Sequence, residues 1–179
     1  MNLQKLFELQ HQLDERIEQE HPRQPGEDRL PKKVLALLVE LGELANEARF
    51  FKFWSHDQEP RTAVLTWPYG AGGPPVYRNR VLEEFVDGLH FILSLGLDIG
   101  FDPEDWIIKG EQYHDLTEQF MKLIKEIVHF SKSLHEIDYV QILKLFIGLG
   151  EMLGFTWEEI EEAYLQKNQE NFKRQEEGY

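Results

Sequence analysis

Four carboxylates of this chain stand in two pairs, Glu40-x-x-Glu43 and Glu84-x-x-Asp87, each inside a stretch otherwise dominated by apolar residues. A step of three residues is close to one helical turn, so each pair projects from one side of its helix. If the two helices pack together, four acids converge in mostly apolar surroundings. Bare carboxylates there repel one another and lose hydration, so some must take up protons unless a cation joins them. Mg²⁺ suits that task, because it takes oxygen ligands and keeps positions for water and phosphate. The pattern therefore points to metal-dependent chemistry on phosphates. A single Glu-x-x-Glu is common on solvated helix faces, but the neighbours here argue for more. Ala36, Leu37, Leu41 and Leu44 surround Glu40 at helical spacing, and Leu82, Gly88 and Phe91 surround Asp87. Glu47 extends the first row as a supporting or an exposed group, and Glu83 is expected to point outward.

Other metals fit less well. Di-iron bundles repeat a Glu-x-x-His pair on two helices, and this chain offers one comparable Asp87-x-x-His90. Zinc favours closer groups of His and Cys, whereas the chain has no cysteine and scattered histidines. His90 is open between bonding a carboxylate ligand and plain core packing. A second candidate group lies at the end of the chain. There Lys167, Asn171 and Arg174 or Gln175 fall on one side of a helix at spacings of three and four. Cations and amides so arranged suit phosphate oxygens, with Lys as a point charge and Arg as a fork. The same composition also suits a solvated helix end.

These groups need helices to position them, and the periodicity supplies about five or six. Leu3, Leu6, Phe7, Leu13 and Ile17 recur at helical spacing, which predicts a first helix over about 3–20. Three prolines and a glycine mark a loop over 22–31, with Pro31 suited to the start of the next helix. That helix carries Glu40 and Glu43 and is expected to run to about Phe53. Residues 55–79 read as a long irregular segment with one strand hint over 62–67; their glycines and prolines lack the P-loop spacing. A helix over 81–100 follows, then a short one near 104–109 behind Asp102-Pro103. Further helices are expected over about 115–134 and 137–153. The second is almost entirely apolar from Ile142 to Leu149, as a central or interface helix would be. Thr156 and Glu159 make a capping-box pattern opening a last helix to about Gln175.

The expected fold class is therefore an all-α helical bundle, a single domain over 1–179 long enough for a real core. The net charge of −14 argues against a general nucleic-acid surface, since Lys and Arg are not in excess to neutralise a phosphate backbone. It leaves room for a nucleotide held by a local cationic cluster. Without cysteine there is no disulfide framework. Neither a signal peptide nor a spanning apolar run is read, so no membrane partner is expected and the compartment is taken as cytoplasmic.

Together the two acidic pairs, the run His90-Phe-Ile-Leu-Ser94, Leu9-Gln10-x-x-Leu13-Asp14, Lys52-x-Trp54 and the terminal KN-x-x-N-x-x-RQ-x-x-GY resemble the dimeric all-α dUTP diphosphatases (dUTPases). These lie within the all-α nucleoside triphosphate pyrophosphatases, which include the MazG-like enzymes. The acidic pairs point to the superfamily; the elements at the two ends point to dUTPase. The resemblance implies a homodimer acting on dUTP and dUDP, with Glu40, Glu43, Glu84 and Asp87 holding two or more Mg²⁺ ions. It implies that Glu43, or Glu40, orients the attacking water and that Gln10 reads uracil. Trp54 would pack on base or sugar, and Lys167, Asn168, Asn171, Arg174 and Tyr179 would bind phosphates or close over them. The family pattern has Asn where this chain has Asp14, which can only accept from a donor such as N3–H or the 3′-hydroxyl. Two alternatives stand beside this reading: a MazG-like pyrophosphatase of broader base choice, and a non-catalytic helical interaction protein.

Overall fold

The computed structural model describes residues 2–67 and 74–178. Six helices run in chain order: α1 (Leu3–Glu20), α2 (Leu30–Ala48), α3 (Arg80–Asp98), α4 (Leu116–Ser133), α5 (Glu136–Met152) and α6 (Trp157–Glu176). Side chains that satisfy the first backbone N–H groups open several of them: Asn2 for α1, Asn79 for α3 and Asp115 for α4. Thr156 and Glu159 form the full capping box at α6, and Pro31 lies in the first turn of α2. The fold is all-α, and among the described residues no single helix is long and apolar enough to cross a membrane.

The helix α3 is central. It packs on α1, α2, α5 and α6, so its buried residues circle the helix instead of forming one stripe. Behind it lies the antiparallel pair α4–α5. Phe85 stacks on Phe146 at 4.2 Å between ring centres, with Gly150 leaving room for the Phe85 ring. The fully buried Tyr139 donates its hydroxyl to the Ile92 carbonyl at 2.9 Å, which satisfies the polar end of a core aromatic.

Three expectations need correction. The second helix stops at Ala48, not near Phe53, because Arg49 takes a left-handed conformation (φ 62°) and its guanidinium bonds the Asp57 carbonyl. Phe50 then turns inward against Phe120 of α4 instead of extending the helix. The long segment over 55–79 is not wholly irregular. Val64–Thr66 (β1) pairs antiparallel with Val76–Arg78 (β2), Leu65 opposite Tyr77, while 68–73 lie outside the described residues. The short helix near 104–109 is a single 3-10 turn, Pro103–Asp105, after which Trp106 is extended. The chain there must lie flat on α5: Glu111 N–H donates to the Lys144 carbonyl at 2.9 Å. The buried Gln119 amide reaches both the Glu111 and Leu145 carbonyls, at 2.8 and 2.7 Å.

That close approach rests on Gly148, where an added Cβ would sit 2.0 Å from the Glu111 carbonyl oxygen. Backbone cannot yield as a flexible side-chain tip does. Gly148→Ala is therefore expected to lower stability by about 2–3 kcal/mol through forced displacement, read as a lower midpoint in urea unfolding with the m-value unchanged.

Candidate active site

Four helices each contribute one row of side chains to a single cavity of about 240 Å³. From α1 come Gln10, Leu13, Asp14 and Ile17; from α2, Lys33 and Glu40, two turns apart. Asp87, His90, Phe91 and Ser94 come from α3, and Lys167, Asn171 and Arg174 from α6. Each row follows the three-, four- and seven-residue spacing of one helix face. The apolar walls are Leu13, Ile17 and Phe91. Acids and cations gather at the end formed by Glu40, Asp87, Lys167 and Arg174.

At that end, carboxylate oxygens of Glu40, Glu84 and Asp87 lie within 4.8 Å of one another. This is comparable to the roughly 4–5 Å across a hard divalent ion with oxygen ligands at about 2.1–2.5 Å. The donor set is all oxygen, as Mg²⁺ requires. Burial, followed by the charges of Asp87, Glu43 and Glu84, pushes the Glu40 carboxyl up to about 7. Burial and the neighbouring acids likewise raise Glu84, while burial raises Asp87 against the opposing pull of Lys167. Lys167 donates to Asp87 Oδ2 at 2.6 Å and Arg80 lies 3.6 Å from Glu84, so the protein's own cations offset part of the repulsion.

The fourth acid, Glu43, is exposed and stands outside this trio, although its charge acts on Glu40 and Glu84. On the helix it lies about 60° further round from the Leu37–Leu41–Leu44 core row than Glu40 does. Two other candidate residues lie off this cavity. Trp54 is 65% exposed, edge-on to Phe51 and Phe53, and lines no part of this cavity. Asn168 is buried beside Tyr164 instead of facing the cavity. Tyr179 lies outside the described residues.

At the other end of the cavity, Gln10 is buried and already bonded on both sides. Its Nε2 donates to Asp14 Oδ1 at 2.7 Å, and its Oε1 accepts from His90 Nδ1 at 2.8 Å and from the Tyr164 hydroxyl at 2.9 Å. His90 thus contacts Gln10, not a carboxylate, and stacks on Tyr164 at 4.2 Å. Burial, with the nearby Lys167 charge, pulls it down to about 3, so it is neutral. Asp14 also accepts from Ser94 Oγ at 2.5 Å and faces Lys33 at 3.6 Å, itself bonded to Asp98 at 2.8 Å. Lys33 and Tyr164 were not singled out from sequence. Lys33 had a readable signal, seven residues before Glu40 on the same face; Tyr164 looks like any core aromatic.

The all-α bundle thus joins crowded carboxylates and cations to a half-apolar section within one cavity. The sequence pattern of the dUTPase family matches residues 2–72 and 66–179, and the chain belongs to that family. No curated protein matches the chain. The protein is accordingly a hydrolase of dUTP, and the non-catalytic alternative is set aside.

The trio generates a stability prediction for the metal-free protein. Glu40 has an ordinary value of 4.5 and about 7 when folded, so between these values the folded state holds a proton that the unfolded chain has lost. Its contribution is fully present below about 4.5 and is lost as pH rises through about 7. In EDTA, the urea midpoint should fall across this window in the wild type and change less in Glu40→Gln. Added Mg²⁺ should raise the wild-type midpoint most at the upper end, where the site is ionised.

Proposed function

We propose that the protein hydrolyses dUTP to dUMP and pyrophosphate, and also accepts dUDP, in a Mg²⁺-dependent reaction at the α-phosphorus. The observation carrying this reading is the continuity of one cavity, from a hydrogen-bonding end at Gln10 and Asp14 to the acids and cations at Asp87 and Lys167. The sugar and base would occupy the half-apolar section between Leu13, Ile17 and Phe91, with the phosphates toward α6. Glu40, Glu84 and Asp87, with Glu43 beside them, would hold two or more Mg²⁺ ions, which offset phosphate charge and make water a stronger nucleophile.

The chain's own groups do the rest. Lys167 would exchange Asp87 for a phosphate oxygen, and Asn171 and Arg174 lie one and two turns along the same face. Glu43 is the preferred group to orient the attacking water and take its proton, being exposed next to the trio; Glu40 is the alternative. Asn168 supports the α6 face through Tyr164 in this reading. Trp54 would act on nucleotide only by closure or from a second copy, and Tyr179 would bind the phosphates or close over them. A homodimer accords with the apolar Leu35 and Val39, one turn apart on α2 and both at least half exposed, and with Phe53 and Trp54 nearby in sequence.

Product analysis tests the reading directly. With Mg²⁺, dUTP should give dUMP and pyrophosphate in equal amounts, and EDTA should abolish turnover. Asp87→Asn and Glu43→Gln should each lower kcat by about a hundredfold or more, the scale on which loss of one group serving the transition state is felt. Release of inorganic phosphate and dUDP from dUTP would place attack at the γ-phosphorus and overturn the proposal.

A further inference from the structure

Lys167 lines the site cavity and also a second cavity of about 360 Å³, so it stands between the two. Tyr77 and Arg78 of β2, Glu83 of α3, and Gln166 and Glu170 of α6 form much of the second cavity's wall. Both acids in that wall are already paired. Glu170 accepts from Arg174 at 2.6 Å, and Glu83 takes both arms of Arg78, Nε at 2.7 Å and Nη2 at 2.9 Å. Arg80 donates to the same Glu83 carboxylate at 3.0 Å and lies 3.6 Å from Glu84. An ion-pair row, Arg78–Glu83–Arg80–Glu84, therefore runs from the second cavity to the acid trio. The base of the hairpin fixes it: Arg78 stands opposite Val64 in the strand register, and Arg80 N–H donates to the Arg61 carbonyl at 2.9 Å. A guanidinium carries more N–H groups than one carboxylate can take, so Glu83 orients Arg78 without using it up.

We propose that Arg78 binds the terminal phosphate of the triphosphate, and so sets the preference for dUTP over dUDP. The inference rests on reading the first cavity as the site of attack at the α-phosphorus in a dUTP hydrolase. With the nucleoside between Leu13 and Phe91 and the α-phosphate at the acid trio, the remaining phosphates run past Lys167, away from the nucleoside. The second cavity is the space on that side, and Arg78 is the next cation in its wall after Lys167. A diphosphate ends one phosphate short and is served by Lys167 alone. A triphosphate reaches on to Arg78, whose planar fork suits phosphate oxygens. Because Glu83 already holds that fork, little side-chain freedom is lost when the phosphate binds.

Arg78→Gln tests this on a strand that is exposed throughout, where the change does not disturb the core. Its kcat/KM for dUTP should fall about tenfold or more, the scale of one lost charged contact, while that for dUDP changes by less than about twofold. Titration calorimetry with Mg²⁺ gives a readout apart from turnover. There the affinity for inorganic pyrophosphate should fall by a similar factor, and that for dUMP should stay as it is. Arg78→Lys keeps the charge without the fork and should lie between the wild type and Arg78→Gln in both measurements. Equal losses for dUTP and dUDP, or a pyrophosphate affinity that ignores Arg78→Gln, overturn the assignment while dUTP hydrolysis by the wild type stands. A wild type that turns over no dUTP, yet binds pyrophosphate through Arg78, overturns the enzymatic reading and keeps the anion site.

Discussion

The crowding of Glu40, Glu84 and Asp87 is the constraint around which the molecule is arranged. Three carboxylates with oxygens inside 4.8 Å cannot all ionise in a partly buried setting without a cation. The protein supplies some of that charge itself, through Lys167 on Asp87 and Arg80 near Glu84. Burial is the largest influence on all three acids, which means the helices hold them out of water despite the cost. Such a cluster persists only if the surrounding packing forces α2 and α3 together. The buried Leu37–Leu41–Leu44 row of α2, with Leu37 beside Gly88 of α3, provides that force.

The two ends of the chain meet for the same reason. α6 brings Lys167 to the acids only because it is docked along α1 and α3. Lys5 pairs with Glu161 at 2.6 Å near the start of this contact, and Tyr164 is fully buried further along it, bonded to Gln10. The Lys5–Glu161 pair is partly exposed and contributes little. The Tyr164 ring, buried against His90, is the anchor. One residue thus fixes both the α6 row that carries Lys167 and the glutamine at the other end of the cavity.

The legible parts of the sequence were those governed by local periodicity. Glu84 and Asp87 are forced onto one face by their spacing, Thr156 and Glu159 cap α6 by a local rule, and the apolar run in α5 signals burial without any partner being known. What could not be read depends on contacts between distant segments. Arg49 takes a left-handed conformation that helix propensity does not favour, and it is held by Asp57 and by Phe50 packing on α4. The extended path through Trp106 to Glu111 follows from Gly148 on a helix yet to come. For the site, the resemblance gave Gln10 as a reader of uracil, and its bonds to Asp14, His90 and Tyr164 come only with the fold. Lys33 and Tyr164 became site residues only when their helices were brought into place.

The contrast between the two sides of α3 explains how a polar site survives inside a bundle. Toward α5, the helix is fixed by stacked Phe85 and Phe146 and by the Tyr139 hydroxyl on Ile92. The α4–α5 pair is itself pinned to the 111 region by Gln119, whose buried amide satisfies the Glu111 and Leu145 carbonyls. Toward α1, α2 and α6, the same helix presents Glu84, Asp87, His90 and Ser94, each of which loses hydration on folding. Tight apolar packing on the first side lets the second carry groups chosen for charge and hydrogen-bond direction instead of stability. The position of every candidate site residue on α3 is then set by the opposite face of the same helix.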